Sequence, residues 1–190
     1  PAFAFANITM FGDTQGVLRK NFNYFEQLFF NQLPYCMLIP RALWVAVDGY
    51  DESMRDGYED WEFNIKLANH GAAGLLIEEP LFNYNVSASG MLSKTSRRQH
   101  GRLWRAIRER HTDTYRLSSL VRLWREWRLR PVTRPPALYF LWNVLFTILP
   151  VDCVSMIAGQ AFRLSHSRRA ARVERALLAP AFERKVRLGP

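Results

Sequence analysis

Cysteine is nearly missing from the 190-residue chain: Cys36 and Cys153 are the only two, far apart and in unlike surroundings. Two such residues cannot build a disulfide framework, so both are read as free thiols, which fits a reducing compartment. Histidine is scarce too. His70, His100, His111 and His166 lack the close spacing and the Cys or carboxylate company of a metal site, and are read as surface or helix-end residues. No internal repeat or low-complexity tract is present, and no charged-then-apolar leader follows Pro1, so no signal peptide is read there.

Basic residues are few in the first half and acidic ones few in the second. Residues 1–91 hold 5 Lys/Arg against 11 Asp/Glu, and residues 92–190 hold 21 against 6. A basic half of this size suits phosphates, whether of nucleic acid, anionic lipid or a phosphorylated ligand, and the sign alone does not choose among them. The apolar share of 48% suffices for one core with an appendage.

Along the chain, residues 35–39 form a short apolar run closed by Pro40, which suits a buried strand, and residues 41–47 read as a short helix. Val47 to Glu52 has loop composition. Glu59 and Asp60 open a helical pattern with Trp61, Ile65 and Ala68 on one face and Gly71 as its stop, so both carboxylates fall in the first turn. Residues 73–77 and 81–86 read as two further strands, and 87–90 as a flexible polar loop. Residues 97–130 have helical spacing rich in Arg, Trp and Leu. The order suits an α/β architecture.

Taken together, Leu38-Ile39-Pro40-Arg41, Gly49-Tyr50-Asp51-Glu52, Gly57-Tyr58-Glu59-Asp60-Trp61-Glu62-Phe63, Gly71 and Glu79-Pro80-Leu81-Phe82-Asn83-Tyr84-Asn85-Val86 resemble the distal half of family 2 glycosyltransferases in letters, order and spacing. The match covers residues 30–95. It implies an α/β fold with a partial GT-A domain over 1–96; composition and charge read the remainder as a basic, mostly helical extension, with an amphipathic segment at 97–134, an apolar hairpin at 135–163 and a basic tail at 164–190. The family's nucleotide-binding half and its Asp-x-Asp metal motif lie upstream of this region and outside these residues. At the position after Val47, often glycine in the family, stands Asp48. Ser89 to Ser93 corresponds to the loop after the last core strand.

The resemblance implies inverting transfer of a sugar from a nucleotide-sugar donor to a glycan or lipid-linked acceptor, with Asp60 as general base and Glu59 as a neighbour that orients or assists it. It also implies Mg²⁺ or Mn²⁺, with no metal ligand in this chain. An aspartate at a helix start can serve as base, because it is ionised at neutral pH and the helix dipole favours the charge. The plain alternative is that the two acids cap the helix. Asp51 and Glu52 are candidates for acceptor hydroxyls or ordinary loop acids. Trp61 either stacks on a sugar face or packs in the core, the core being favoured by its place on the apolar face. Arg41 either approaches the diphosphate or pairs with Asp48 or Asp51.

Gln99 to Trp104 only partly matches the Gln-x-x-Arg-Trp of processive members, and the favoured reading is a basic amphipathic helix whose Trp104 packs on the domain. From Pro135 to Phe162 the only charge is Asp152, bracketed by Arg134 and Arg163. Pro150 and Asp152 argue against a crossing helix and leave two readings, an interfacial or re-entrant hairpin on an anionic membrane and a buried helical hairpin. The expected place is therefore cytoplasmic, peripheral at the inner face of the cell membrane. Two rivals differ in class. Arg97, Arg98, Arg102, Arg105, Arg108 and Arg110 beside Trp104 suit a polyanion-binding module, although the acidic first half argues against a nucleic-acid partner. The other rival is a non-catalytic membrane-associated scaffold.

Overall fold

The computed structural model describes residues 1–87, 99–158 and 160, so Ser89 to Ser93, Arg97, Arg98, His166, Arg163 and the basic tail lie outside the described residues. The architecture is α/β. A central strand β1 (Ala2–Gly12) pairs antiparallel with β2 (Gly16–Leu18) and with β3 (Met37–Leu38), and parallel with β4 (Ala73–Val86) on its other side.

The two strands read at 73–77 and 81–86 are one. Between them the register slips, Ala6 facing Ile77 and Asn7 facing Pro80. Pro80 has no amide hydrogen to give the ladder, and the Asn7 side-chain amide donates to the Glu78 carbonyl across the irregularity. Leu75 and Leu76 point to opposite faces of β4 and are 58% and 42% exposed. An apolar run of this kind is what a parallel strand covered on both faces carries.

The helices are α1 (Tyr24–Gln27), α2 (Arg41–Ala46), α3 (Glu59–Asn69), α4 (His100–Arg110), α5 (Leu117–Trp127) and α6 (Pro136–Ile148), and residues 151–158 are helical again. Gly71, at φ +76°, ends α3 as the sequence suggests. That helix is buried well beyond the expected face: Phe63, Asn64, Ile65 and Leu67 are inaccessible along with Trp61. The stretch at 97–130 divides into α4 and α5 around a turn at 111–115.

One hydrophobic core joins these parts, from Phe3 and Phe5 on β1 through Phe63 on α3 and Trp104 on α4 to Phe146 on α6 and Val154 beyond it. Its spine is a pile of four rings, Trp61, His100, Trp104 and Trp142, with consecutive centroids 5.9–6.2 Å apart and planes within 22–23° or closer. His100 is therefore a core residue, contrary to the surface reading, while its position at the start of α4 agrees with the helix-end part of that reading. Trp104 packs on the domain as expected, its indole donating to the Leu28 carbonyl at 3.0 Å.

The apolar segment splits the two readings made of it. Tyr139, Asn143, Phe146 and Val154 are buried against the domain, whereas Leu138, Leu141, Val144 and Ile148 on the other side of α6 are exposed. Among the described residues no helix is long and apolar enough to cross a membrane. Glu26 fastens the hairpin: one carboxylate oxygen accepts from the Thr133 amide, the Thr133 hydroxyl and the Tyr139 hydroxyl, and the other accepts from the Gln32 amide.

Candidate functional site

The site forms where the start of α3 meets the loop after α2. Two residues other than glycine take left-handed backbone there, Asp48 (φ +56°) and Tyr58 (φ +67°). Asp48 explains why glycine suits the position after Val47, and aspartate is among the residues that tolerate it best. At the next position, Gly49 (φ +47°), an added Cβ would sit 2.8 Å from the Trp44 ring, so only glycine lets the loop close over that indole. Tyr58 is the N-cap of α3 and contributes no side-chain cap. Its hydroxyl instead meets His100 Nδ1 at 2.9 Å, which holds the strained turn from the core side.

Asp60 follows two residues later and is partly buried. Its Oδ1 accepts from the Trp61 amide at 2.7 Å, so the capping reading describes one of its oxygens. Its Oδ2 accepts from Asn31 Nδ2 at 2.9 Å. Asn31 is itself held by amides, its Oδ1 accepting from Gln27 at 2.9 Å and from Asn64 at 3.0 Å. Burial pushes the Asp60 carboxyl above its ordinary value and the Glu59 charge adds to this, while the Trp61 amide, Asn31 and the Lys20 charge act the other way. Lys20 lies close enough to feel Asp60, and burial lowers its pKa to about 8 in spite of that attraction. The Tyr50 phenol is pushed up by burial and then by Asp60 and Glu59. One patch thus gathers Asp60, Glu59, Tyr50, Lys20 and Asn31.

Beside it opens a groove of about 800 Å³ walled by Trp44, Tyr50, Asp48, Glu52 and Lys66. The Trp44 and Tyr50 rings meet edge to face at 5.1 Å and remain partly exposed, an aromatic corner ringed by acids. The loop is clamped from two helices. Lys66 on α3 donates to the Gly49 carbonyl at 3.0 Å, and Arg110 on α4 pairs with Asp51 and donates to the Ser53 hydroxyl at 2.7 Å.

These contacts sort the expected site residues. Asp60 and Glu59 stand together, but Glu59 raises the proton affinity of Asp60 by its charge, and the orienting hydrogen bond comes from Asn31. Glu52 is exposed at the groove. Asp51 lines the groove, its carboxyl held well below the ordinary range by hydrogen bonds from Ser53 and Arg110, so it also organises the loop. Trp61 is corrected outright as a sugar platform: it is 3% exposed and its indole donates to the Gln27 carbonyl, leaving no free ring face. Arg41 is exposed at the start of α2 and forms no ion pair with Asp48 or Asp51. Sequence reasoning missed Lys20, Asn31, Tyr50 and Arg110. Tyr50 stood inside the Gly49-Tyr50-Asp51-Glu52 motif and Arg110 in the arginine cluster without a role at the site, Lys20 left the weaker signal of a basic pair with Arg19 in the acidic half, and Asn31 left none.

Of the arginines that suggested polyanion binding, the described ones make contacts within the protein. Arg102 pairs with Asp56, Arg110 with Asp51, and Arg108 lies over the Trp104, Tyr115 and Phe146 rings at 4.9–5.3 Å while donating to Asn143 and Thr147. Among the described residues no group of three or more His, Cys, Asp or Glu converges as metal ligands would. No family model, curated protein or solved structure matches the chain.

Proposed function

We propose that this chain is the acceptor-side part of an inverting glycosyltransferase that moves a sugar from a nucleotide-sugar donor to a glycan or lipid-linked acceptor hydroxyl. The observation that carries the reading is Asp60, a partly buried carboxylate with raised proton affinity, oriented by Asn31 and set beside an aromatic, acid-walled groove. Each of its oxygens accepts one hydrogen bond and keeps a lone pair for an incoming hydroxyl proton. As the acceptor oxygen attacks the anomeric carbon, Asp60 takes that proton, and raised basicity improves the transfer as long as the group stays ionised at the working pH. Trp44 and Tyr50 offer apolar contact to the C–H face of an acceptor sugar in place of Trp61, and Glu52 offers hydroxyl contacts. Lys20 is a cation near enough to favour the ionised base.

The Mg²⁺ or Mn²⁺ implied by the resemblance finds no cluster of three ligands among the described residues, and no step here is routed through one. The exposed faces of Leu75 and Leu76 support the reading that a further layer, such as a donor-binding half, covers β4. The test is a transfer assay with nucleotide sugars and glycan acceptors, using this chain joined to its donor-binding half, with product anomer read by NMR. Asp60→Asn should lower kcat by roughly 10²–10⁴ with the fold intact. Transfer that survives this substitution would remove Asp60 as base, and binding of heparin without any transfer would favour the polyanion-binding module.

A further inference from the structure

We infer that the exposed side of α6, with the arginine-rich turn that leads into it, is a docking surface for an anionic lipid bilayer, which the chain meets in the interfacial plane without crossing. The inference does not depend on Asp60 being a base. Leu138, Leu141, Val144 and Ile148 recur at helical spacing along the outer side of α6 and are 48–68% exposed, while Tyr139, Asn143 and Phe146 anchor the inner side in the core. The helix carries no charged residue over its 13 positions and is about 20 Å long, too short for the roughly 30 Å hydrocarbon layer. Lying flat, it would bury the apolar side at the acyl boundary.

Charge identifies the occupant. Residues 116–134 hold six arginines against one acid, Glu126, and every one of the six is exposed. In the turn itself Leu129, 91% exposed, and Val132 stand between Arg128, Arg130 and Arg134, an alternation of greasy and cationic side chains that places hydrocarbon and phosphate contacts side by side. A second copy of the chain packed on the same face about a twofold axis would bring the turn's Arg128, Arg130 and Arg134 near their own counterparts. A nucleic acid would satisfy the arginines and leave the leucines in water. An anionic bilayer surface satisfies both.

The test is flotation of the full 190-residue chain with vesicles of phosphatidylcholine alone and of phosphatidylcholine with phosphatidylglycerol, at roughly physiological ionic strength. Binding to the anionic vesicles is expected, with little to the neutral ones. The double variant Leu141→Glu/Val144→Glu and, separately, Arg128→Glu/Arg130→Glu should each weaken it by about tenfold or more. All four positions are exposed, so thermal melting should be unchanged; should the first variant misfold, the second still decides. Absence of binding to anionic vesicles overturns the inference. So does binding indifferent to the apolar variant and matched by heparin, which marks a polyanion site, or a dimer in equilibrium sedimentation that Leu141→Glu/Val144→Glu disperses, which marks a second copy as the occupant.

Discussion

Asp60 is held where its charge is costly. Its folded-state pKa lies above 3.8, so between 3.8 and the raised value the folded chain binds the proton more readily than the unfolded one. The carboxylate therefore subtracts stability at neutral pH, and the penalty fades as pH falls through the raised value. Asp60→Asn should melt at or above the wild-type temperature at pH 7, with the gap closing toward pH 4, while transfer is lost; calorimetry across pH measures it. Asn31→Ala removes the donor to Oδ2 without touching substrate. A loss on the order of tenfold to a hundredfold in kcat with KM little changed is expected, and the acidic limb of the pH profile should move upward. His100 has the opposite sign from Asp60. Burial lowers its pKa to about 4, so its contribution is complete above about 6.5 and is lost as pH falls from there to about 4. The total is on the order of 3 kcal/mol. His100→Asn should flatten that part of a pH series of urea melts.

At the scale of elements, α4 joins the site to the hairpin through close contact. Gly101 is where it meets the residues after α6: its amide donates to the Ser155 hydroxyl at 3.1 Å, and an added Cβ would fall 2.7 Å from the Val151 carbonyl oxygen. Backbone oxygen cannot swing aside as a side chain can, so Gly101→Ala should cost about 1–3 kcal/mol. Trp104→Ala, which empties the centre of the ring pile, should cost about 3–5 kcal/mol. Urea titration of both variants checks the order. The helical spacing around Trp104 was legible as an amphipathic helix, and its buried side follows from that spacing. Burial of Gly101 was not, since a glycine in a helical pattern gives no sign of which partner approaches it.

For the whole molecule, the acidic first half and the described part of the basic second half share one core and are joined by ion pairs, Asp51 to Arg110 and Asp56 to Arg102. Glu26 adds a buried latch that reaches residues 133 and 139. Glu26→Ala would leave the Thr133 amide, the Tyr139 hydroxyl and the Gln32 amide without their acceptor. A loss of about 3 kcal/mol or more is expected, with faster hydrogen exchange at the start of α6 than at α3. The sheet shows the converse feature: among the described residues β4 is an edge strand with both faces partly bare, a surface that folded chains ordinarily cover or blunt.

Local pattern alone determined a good deal here: the α/β order of elements, the acids in the first turn of α3, the Gly71 stop and the inward Trp104. These follow from spacing and backbone preference, which neighbours in sequence already express. The single strand at 73–86 was hidden by Pro80, because the Asn7 side chain that mends its ladder comes from another strand. Tertiary structure alone decided that Asn31 orients Asp60 from 29 residues away, that Arg110 takes Asp51 from 59 residues away, that Lys20 stands by the site and that Trp61 is sealed in the core. A hydrogen bond or ion pair between distant positions depends on how the chain closes in space, and only the folded molecule sets that distance.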